Sequence, residues 1–406
     1  MHHRLILRTF LPLIAFSLPF MVAPAGAFDA SNPQPTIVAE AASPQAIEDY
    51  RRKLKEYLAA RDAFEQQESA YWNQIAEKRR TRNAKRRERQ QTTLDDYVLA
   101  QPPVYAGPKP PRNPAPGNEP EPPRPEHKHI PNIADLLKAA ADNYHWVPRQ
   151  PANEGEFKRA YARYASASGL TREQAVRVYA FETGGDGTRN SESDRSTAVG
   201  YNQLLTTNSV ELIAEQGDSF VKSLTQTAGN LSGSARQAME QKIAVLKKMV
   251  AQARSVPDDW SQHEKIGDTP QGWAMHAMAL DVDVGPMLQT HKLLTSVLFA
   301  RDRGFARPLT AAELEMMNLT GDGNGFDMVT MPQQMREQVP TSNFFLRGGY
   351  ERNPVAIRHN TVAKLLAVTD ARMDENSSGS GAKELAAAFV TTTSASANAA
   401  PPDTGR

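Results

Sequence analysis

The sequence predicts a mainly α-helical fold, in which one helical domain with a cleft follows a long amphipathic helix and a Pro-rich linker. Apolar residues recur every three or four positions over most of the chain, a spacing typical of helices, and alternating strand patterns are scarce. Hydrophobic residues make up 40% and charged residues 23%, as in ordinary soluble proteins. The 29 prolines and the low mean hydropathy indicate long unpacked segments, so we expect one folded domain with extensions.

The first 27 residues have the pattern of a cleaved export signal. A basic start is followed by the mostly apolar stretch Leu5–Met21 and by the small-residue triplet Ala25–Ala27. We therefore expect a periplasmic or secreted protein whose mature chain begins at Phe28. The competing interpretation is a membrane anchor, but Arg8 and two prolines interrupt the apolar stretch and disfavour a spanning helix.

A long amphipathic helix is predicted over residues 46–99, after a flexible lead at 28–45. Neither proline nor glycine occurs between Ala46 and Asp96, and a stripe of apolar residues has helical spacing. The basic run Lys78–Arg89 has two interpretations: a site for anionic wall polymers or a membrane surface, or a solvated helix face, which we favour. No nucleic-acid partner is expected for an exported protein. The stripe comprises Ile47, Tyr50, Leu54, Tyr57, Phe64, Tyr71 and Ile75.

Prolines recur every two or three residues in the linker, residues 100–131, which we expect to be an extended spacer. The helical domain then occupies residues 132–373. The last segment, 374–406, is rich in Ser, Thr, Ala and Gly and is expected to be disordered. The helices predicted within the domain are Asn153–Ser168, Thr171–Thr183, Asn208–Gln216, Ser234–Arg254, Gly272–Arg303 with a break near Gly285, Ala311–Met317 and Ala356–Met373.

One of these helices ends in a carboxylate. Thr171 and Gln174 form a capping box that begins the helix, and Gly184 ends it directly after Thr183. Glu182 then lies in the last turn, where the helix dipole and the neighbouring apolar residues disfavour its ionised form and raise its pKa. A carboxylic acid that keeps its proton near neutral pH can protonate the leaving oxygen of a glycosidic bond. The alternative is a glutamate at a frayed helix end in solvent.

The order of these pieces resembles the catalytic core of lytic transglycosylases and goose-type lysozymes, members of the lysozyme-like superfamily. The resemblance rests on Glu182-Thr183 and, about eighteen residues later, on the segment Gly200–Leu204, which has the order Gly-Tyr-Asn-Gln-Leu. It implies a lysozyme-like helical domain with a substrate cleft. It also implies that Glu182 is the single acid/base, that Thr183 helps to hold the cleft, and that Gly200, Tyr201 and Gln203 line the sugar sites. The family's third motif, a Tyr-Asn pair, has its nearest counterpart in Asn343, Tyr350 and Asn353.

The resemblance further implies the reaction. Its substrate would be the glycan strand of peptidoglycan, cut at the β-1,4 bond between N-acetylmuramic acid and N-acetylglucosamine with formation of a 1,6-anhydro end and without a metal or cofactor. The enzymatic alternative is a muramidase-like hydrolase, for which Asp186 or Asp194 would supply the second carboxylate. A non-catalytic glycan-binding or adaptor protein on the same fold is the remaining hypothesis.

Other candidate groups receive structural interpretations. The chain has no cysteine, which excludes disulfides and thiolate metal sites. The TGDGNGFD segment with Asp322, Asn324 and Asp327 lacks the far glutamate of a calcium loop, so we interpret it as a turn at the cleft edge. The remaining candidates are assigned to solvated or core positions: Asp281 and Asp283 to a solvated loop, His276 and His291 to the core or solvent, and Trp260 and Trp273 to the core.

Overall fold

The computed structural model describes residues 43–114, 129–193 and 196–398. Within these residues the secondary structure is helical, with isolated β-bridges and no β-strand, so the prediction of a mainly α fold is confirmed. The predicted export signal and part of the predicted linker, residues 115–128, lie outside the described residues. The described part of the chain contains no helix that is both long and apolar enough to cross a membrane. Contacts divide it into two units, an N-terminal unit (43–114) and a main unit (from residue 129).

The N-terminal unit is built on one long helix, α1 (Pro44–Arg87). Ser43 begins it, because its hydroxyl oxygen accepts the Ala46 N–H at 3.2 Å and Pro44 occupies the first turn, where no N–H partner is needed. The helix ends at Arg87 and not near residue 99 as predicted. Arg89 has a left-handed φ of 55°, which turns the chain away from the helical path.

The chain after α1 folds back along the helix. The Tyr71 hydroxyl donates to the Ala100 carbonyl oxygen at 3.1 Å, and the Tyr105 ring packs edge-on against Phe64 with 5.3 Å between ring centroids. The first residues of the predicted spacer therefore pack on α1, because an aromatic side chain among the prolines gives the segment a surface to bury.

The basic run at the end of α1 is largely packed. Arg82 is fully buried, donates to the Asp96 carbonyl oxygen at 3.0 Å and lies 4.6 Å from the centroid of the Tyr97 ring. Lys85 forms a 2.7 Å salt bridge with the Asp96 carboxylate, and Arg79 is also buried. The interpretation as a solvated face is wrong for these residues, since the returning chain after residue 93 supplies acceptors for their charges.

The main unit consists of fifteen described helices joined by short loops and two 3₁₀ turns, Ala277–Leu280 and Thr341–Phe344. They are α2 (Ile133–Tyr144), α3 (Glu154–Ser168), α4 (Arg172–Thr183), α5 (Thr206–Gly229), α6 (Gly233–Ala253), α7 (Trp260–Gly267), α8 (Pro270–His276), α9 (Val284–Asp302), α10 (Ala311–Thr320), α11 (Asp322–Thr330), α12 (Gln333–Arg336), α13 (Arg347–Glu351), α14 (Pro354–Arg358), α15 (Val362–Asn376) and α16 (Ser380–Asn398).

Helix α9 joins two hydrophobic cores. Its first turns, with Met287 and Leu288, belong to the core formed with α2, α5, α6 and α8. Its later turns, with Leu293 and Ala300, belong to the core formed with α3, α4, α10 and α16. A helix that is apolar on nearly every side is stable only when neighbours surround it, so α9 is the central element of the main unit. The predicted helix break near Gly285 lies a few residues earlier, before Val284.

The expected disorder after residue 373 is wrong as far as Asn398. Helix α15 continues to Asn376, and α16 follows and packs on α3 and α4. Its buried face comprises Ala382, Leu385, Ala388 and Phe389. This apolar stripe has helical spacing, and alanine is the best helix former, so a segment whose composition suggests disorder gains enough burial to fold.

Candidate active site

Glu182 lies in the last turn of α4, as predicted. The Gln174 N–H donates to the Thr171 hydroxyl oxygen at 3.1 Å, and the Thr171 N–H donates to the Gln174 side-chain oxygen at 3.0 Å, which confirms the capping box. Gly184 has a left-handed φ of 70° and ends the helix. The capping box and Gly184 thus place Glu182 at the C-terminus of α4, where the partial negative charge of the helix disfavours its ionised form.

The Glu182 carboxyl group has a neutral amide and a buried cation as its neighbours. Asn318 on α10 donates through Nδ2 to Glu182 Oε1 at 3.2 Å. Burial raises the pKa of Glu182 to about 7, and the Lys292 ammonium and the Asn318 hydrogen bond offset part of that rise. Glu182 can therefore hold a proton near neutral pH and also release it, which is the property that a combined acid and base needs.

Lys292 brings a positive charge from α9 into the same region. It is only 8% exposed, and its Nζ donates to Asn208 Oδ1 on α5 at 3.0 Å. Burial lowers the pKa of Lys292, while the carboxyl groups around it act in the opposite direction. Those groups are Glu182, Glu315, Glu211 and Asp322. Since Lys292 forms no salt bridge within the described residues, its attraction to Glu182 acts at longer range than a direct ion pair.

A second glutamate completes the cluster. Glu315, on α10, is fully buried, and its Oε2 accepts the same Asn318 Nδ2 at 3.3 Å. Both hydrogen bonds start from the same Asn318 nitrogen. The distance between Glu182 Oε1 and Glu315 Oε2 is therefore no greater than the sum of the two hydrogen-bond lengths. Sequence reasoning missed Glu315, Lys292 and Asn318. For Lys292 and Glu315 the available signal was a charged residue inside an otherwise apolar helix. Such a residue is seldom fully buried without a specific role.

A small polar pocket opens beside this cluster. Its cavity volume is about 10 Å³, roughly the space of one water molecule. Lys292 and Asn318, the two groups that act on Glu182, line it together with Asn208, Glu211, Thr295 and Asp322. The pocket lining thus contains an ammonium, two amides, two hydroxyls and two carboxylates, together with the apolar Leu212 and Met317.

The Gly200–Leu204 segment packs behind α4. Tyr201 is fully buried, its ring lies 4.9 Å from the Tyr179 ring of α4, and its hydroxyl donates to Glu154. Asn202 is also fully buried and donates through Nδ2 to the Gln289 carbonyl oxygen on α9 at 2.8 Å. Tyr201 therefore packs in the core behind Glu182, where its ring supports the helix.

Gln203 and Gly200 form a tight turn in this segment. Gln203 has a φ of 43°, and its Nε2 donates to the Gly200 carbonyl oxygen at 2.9 Å. Gly200 has a φ of 85°, and a Cβ there would lie 2.3 Å from the Gln289 amide nitrogen. Thr183, the residue after the candidate acid, donates through its hydroxyl to the Tyr179 carbonyl oxygen at 2.7 Å, which reinforces the last turn of α4.

The residues of the third motif make local contacts, and none of them lines the pocket beside Glu182. Asn343 is fully buried in the 3₁₀ turn Thr341–Phe344 and donates through Nδ2 to the Pro340 carbonyl oxygen at 3.0 Å. Tyr350 is buried on α13, whose main contacts are with α14, and Asn353 caps α14 by accepting the Ala356 N–H at 2.9 Å. These contacts give Asn343 and Asn353 roles in local backbone structure.

The other carboxylates named as candidates have structural partners. Asp186 accepts the Gly381 N–H at 2.9 Å and so caps α16, which lowers the pKa of Asp186. Asp194 lies outside the described residues. The predicted solvated loop at Asp281 and Asp283 is wrong, because Asp281 is fully buried, accepts from Lys242 Nζ at 2.6 Å and caps the start of α9.

The segment around Asp322 is helical. It begins α11, so its interpretation as a turn is wrong, and Gly325 packs so closely on α10 that a Cβ would lie 2.3 Å from the Met317 Cα. Gly325 therefore allows a close approach of α11 to α10. The described residues contain no cluster of three His, Cys, Asp or Glu side chains suited to a metal ion.

Among the histidines and tryptophans named from the sequence, three lie in or against the core: His276, His291 and Trp273. His276 is fully buried and His291 is nearly so, as the core interpretation predicted. Trp273 packs on the first hydrophobic core and lies 5.7 Å from the His129 ring, centroid to centroid. Trp260 begins α7 and is partly buried.

The chain was compared with models of protein families, with curated proteins and with solved structures, and no match was found in any of the three comparisons.

Proposed function

We propose that the protein is a peptidoglycan lytic transglycosylase that cuts the β-1,4 bond between N-acetylmuramic acid and N-acetylglucosamine. The supporting observation is Glu182, a carboxyl group at a helix C-terminus whose burial raises its pKa to about 7 beside a polar pocket. Its sequence context, Glu-Thr followed by Gly-Tyr-Asn-Gln-Leu, resembles the core of that enzyme class. The proposed setting is the periplasm or the exterior, because the first 27 residues resemble an export signal.

In the proposed reaction Glu182 acts twice. Its proton passes to the glycosidic oxygen as the bond between that oxygen and the anomeric carbon breaks, and the ionised carboxylate is stabilised by Lys292 and Asn318. The carboxylate then takes the proton from the muramyl 6-hydroxyl as that oxygen bonds to the anomeric carbon. The product is a 1,6-anhydro end, and Glu182 regains its starting proton.

Attack by the substrate's own hydroxyl is favoured because the two carboxyl groups that line the pocket, Glu211 and Asp322, are buried and interact with Lys292. A hydrolase needs a second carboxylate to direct water or to act as the nucleophile. Glu315, which shares the Asn318 amide with Glu182, is fully buried, and Asp186 caps α16. A tethered hydroxyl gains the large effective concentration of intramolecular reactions, so it is the favoured attacker.

The N-terminal unit would set the reach of the enzyme along the wall. The buried Arg79 and Arg82 leave Arg80, Arg87 and Arg89 as the exposed arginines of the basic run, and a contact with an anionic wall polymer or membrane surface would use these. The partner proposed for the main unit is the glycan strand itself.

Digestion of purified peptidoglycan by the exported chain tests the proposal. Glu182→Gln keeps the shape of the side chain and removes its transferable proton, so release of soluble fragments should fall by ~10²–10⁴-fold or more. Glu173→Gln is the matched control on α4, because its side chain is 65% exposed, and it should retain full activity.

Mass spectrometry of the fragments decides the reaction type. Fragments with 1,6-anhydromuramyl ends, one water lighter than reducing ends, are expected. Reducing ends alone would indicate the muramidase-like hydrolase. Binding of the glycan without any cleavage by the wild type would indicate the non-catalytic hypothesis.

A further inference from the structure

Asn318 links two carboxyl groups through one amide nitrogen. Its Nδ2 donates to Glu182 Oε1 at 3.2 Å and to Glu315 Oε2 at 3.3 Å. An amide group carries two hydrogens on this nitrogen, so each carboxyl group can receive one. The orientation of the amide toward Glu182 therefore depends on an acceptor at Glu315.

Glu315 is in a place that suits a neutral carboxylic acid. It is fully buried, and its Oε1 has no hydrogen-bond partner among the described residues. An ionised carboxylate with one oxygen unpaired would carry a large desolvation cost, and a neutral acid carries much less. The electrostatic surroundings agree with a neutral acid. Burial raises the pKa of Glu315 well above its usual range, and the charge of Glu182 raises that pKa further.

The charged groups around the pair come from three further helices. Lys292 on α9 favours ionisation of both glutamates. Glu211 on α5 and Asp322 on α11 also interact with Lys292. The positive charge of Lys292 is therefore shared among these groups, Glu182 and Glu315. With one cation among four carboxyl groups, the cluster cannot hold every carboxyl group ionised at low cost, and the most deeply buried one keeps its proton at least cost.

We propose that Glu315 is a positioning residue that stays protonated at neutral pH and, as a neutral acceptor, holds the Asn318 amide so that it donates to Glu182. The second glutamate then adds no negative charge beside the candidate acid. Glu182 is left to titrate under the influence of burial, Lys292 and the Asn318 hydrogen bond. This inference concerns the proton balance of the cluster and rests on the proposed function only for its activity readout.

Two substitutions of Glu315 separate charge from positioning. Glu315→Gln keeps a neutral acceptor for Asn318, so the pKa of Glu182 should stay unchanged. If Glu315 were ionised, the same substitution would remove a nearby negative charge and lower the pKa of Glu182. Glu315→Met removes the acceptor of one Asn318 hydrogen bond, so the Asn318 amide can rotate away from Glu182. Loss of the hydrogen bond from Asn318 should raise the pKa of Glu182.

The experiment follows the side-chain carboxyl carbon of Glu182 by NMR as a function of pH, in the full chain with labelled glutamate. The Glu182 signal is identified by its absence from the spectrum of Glu182→Gln, and circular dichroism monitors the fold. The Met variant should raise the midpoint by about one unit, as expected for loss of one hydrogen bond to a carboxylate. In the cleavage assay the alkaline limb should move in the same direction.

A lowered Glu182 midpoint in Glu315→Gln, or a Met variant identical to the wild type, would overturn the inference. If Glu315→Met does not fold, Asn318→Ala replaces it, because that variant removes the donor directly and should give the same rise. The NMR titration requires no turnover. A failure of the proposed enzymatic activity therefore leaves the test of Glu315 intact, and a failure of the test leaves the cleavage result unaffected.

Discussion

The side-chain oxygen of Gln289 accepts the backbone N–H of Asn202 at 2.8 Å. This bond attaches the Gly200–Leu204 segment to α9 at a point one helical turn before Lys292. The same helix therefore holds the segment and brings the buried ammonium toward Glu182. The Glu182-Thr183 and Gly200–Leu204 motifs, on which the proposed function is based, are thus connected through α9, which contains neither of them.

Gly200→Ala tests this connection. The substitution places a Cβ 2.3 Å from the Gln289 amide nitrogen at a backbone φ of 85°, so we expect a loss of about 1–3 kcal/mol in the free energy of unfolding. Denaturant unfolding measures it. Gly229→Ala at the end of α5 is the control, because nothing lies within 4 Å of its added Cβ, and it should be neutral or slightly stabilising. Equal effects at the two glycines would contradict the assigned contact.

The stability of the main unit should depend on pH through His276. Its Nε2 donates to the Thr197 carbonyl oxygen at 2.9 Å, which leaves Nδ1 to accept from the Ser209 hydroxyl at 2.7 Å. Burial lowers the pKa of His276 to about 4. Below pH 6.5 His276 binds a proton in the unfolded chain but not in the folded chain. Its contribution to the free energy of unfolding is therefore complete above pH 6.5 and is lost as the pH falls toward 4.

The size of this effect is roughly 3 kcal/mol for the full shift. We expect the free energy of unfolding to fall from pH 6.5 to pH 4, and His276→Asn should reduce the slope. Proton NMR of the imidazole provides the direct check. A ring signal that titrates near 6.5 in the folded protein would contradict the buried neutral state.

Helix α16 should contribute strongly to stability, although its composition suggests disorder. Leu385 is fully buried against α3 and α4, so Leu385→Ala should cost about 2–5 kcal/mol. The exposed Lys383 on the same helix is the control, and Lys383→Ala should change stability by no more than about 0.5 kcal/mol. Thermal unfolding followed by circular dichroism measures both. A Leu385→Ala variant as stable as the wild type would mean that α16 is not part of the core.

The sequence was informative where local signals decide the structure. The start and end of α4 depend on a capping box and on a glycine within a few residues, so the position of Glu182 could be predicted. Helix α16 could not be predicted from composition, because its stability comes from packing on α3 and α4, which lie far away in the sequence.

The surroundings of Glu182 were beyond sequence reasoning for the same reason. Asn318 lies 136 positions from Glu182 in the chain, and Glu315 and Lys292 come from helices whose packing a single sequence does not reveal. The pKa of Glu182 was predicted to rise from its helix position and apolar neighbours. The opposing influence of Lys292 and Asn318 became visible only in the folded arrangement.

The hydrogen bond between Gly381 and Asp186 has a consequence for biosynthesis, because the two residues are 195 positions apart. Contacts between such distant residues form late and slow the folding of a domain. The loop that follows Glu182 cannot reach its final arrangement before α16 is present and packed. During synthesis the surroundings of Glu182 would therefore stay incomplete until the residues of α16, Ser380–Asn398, have been added to the chain.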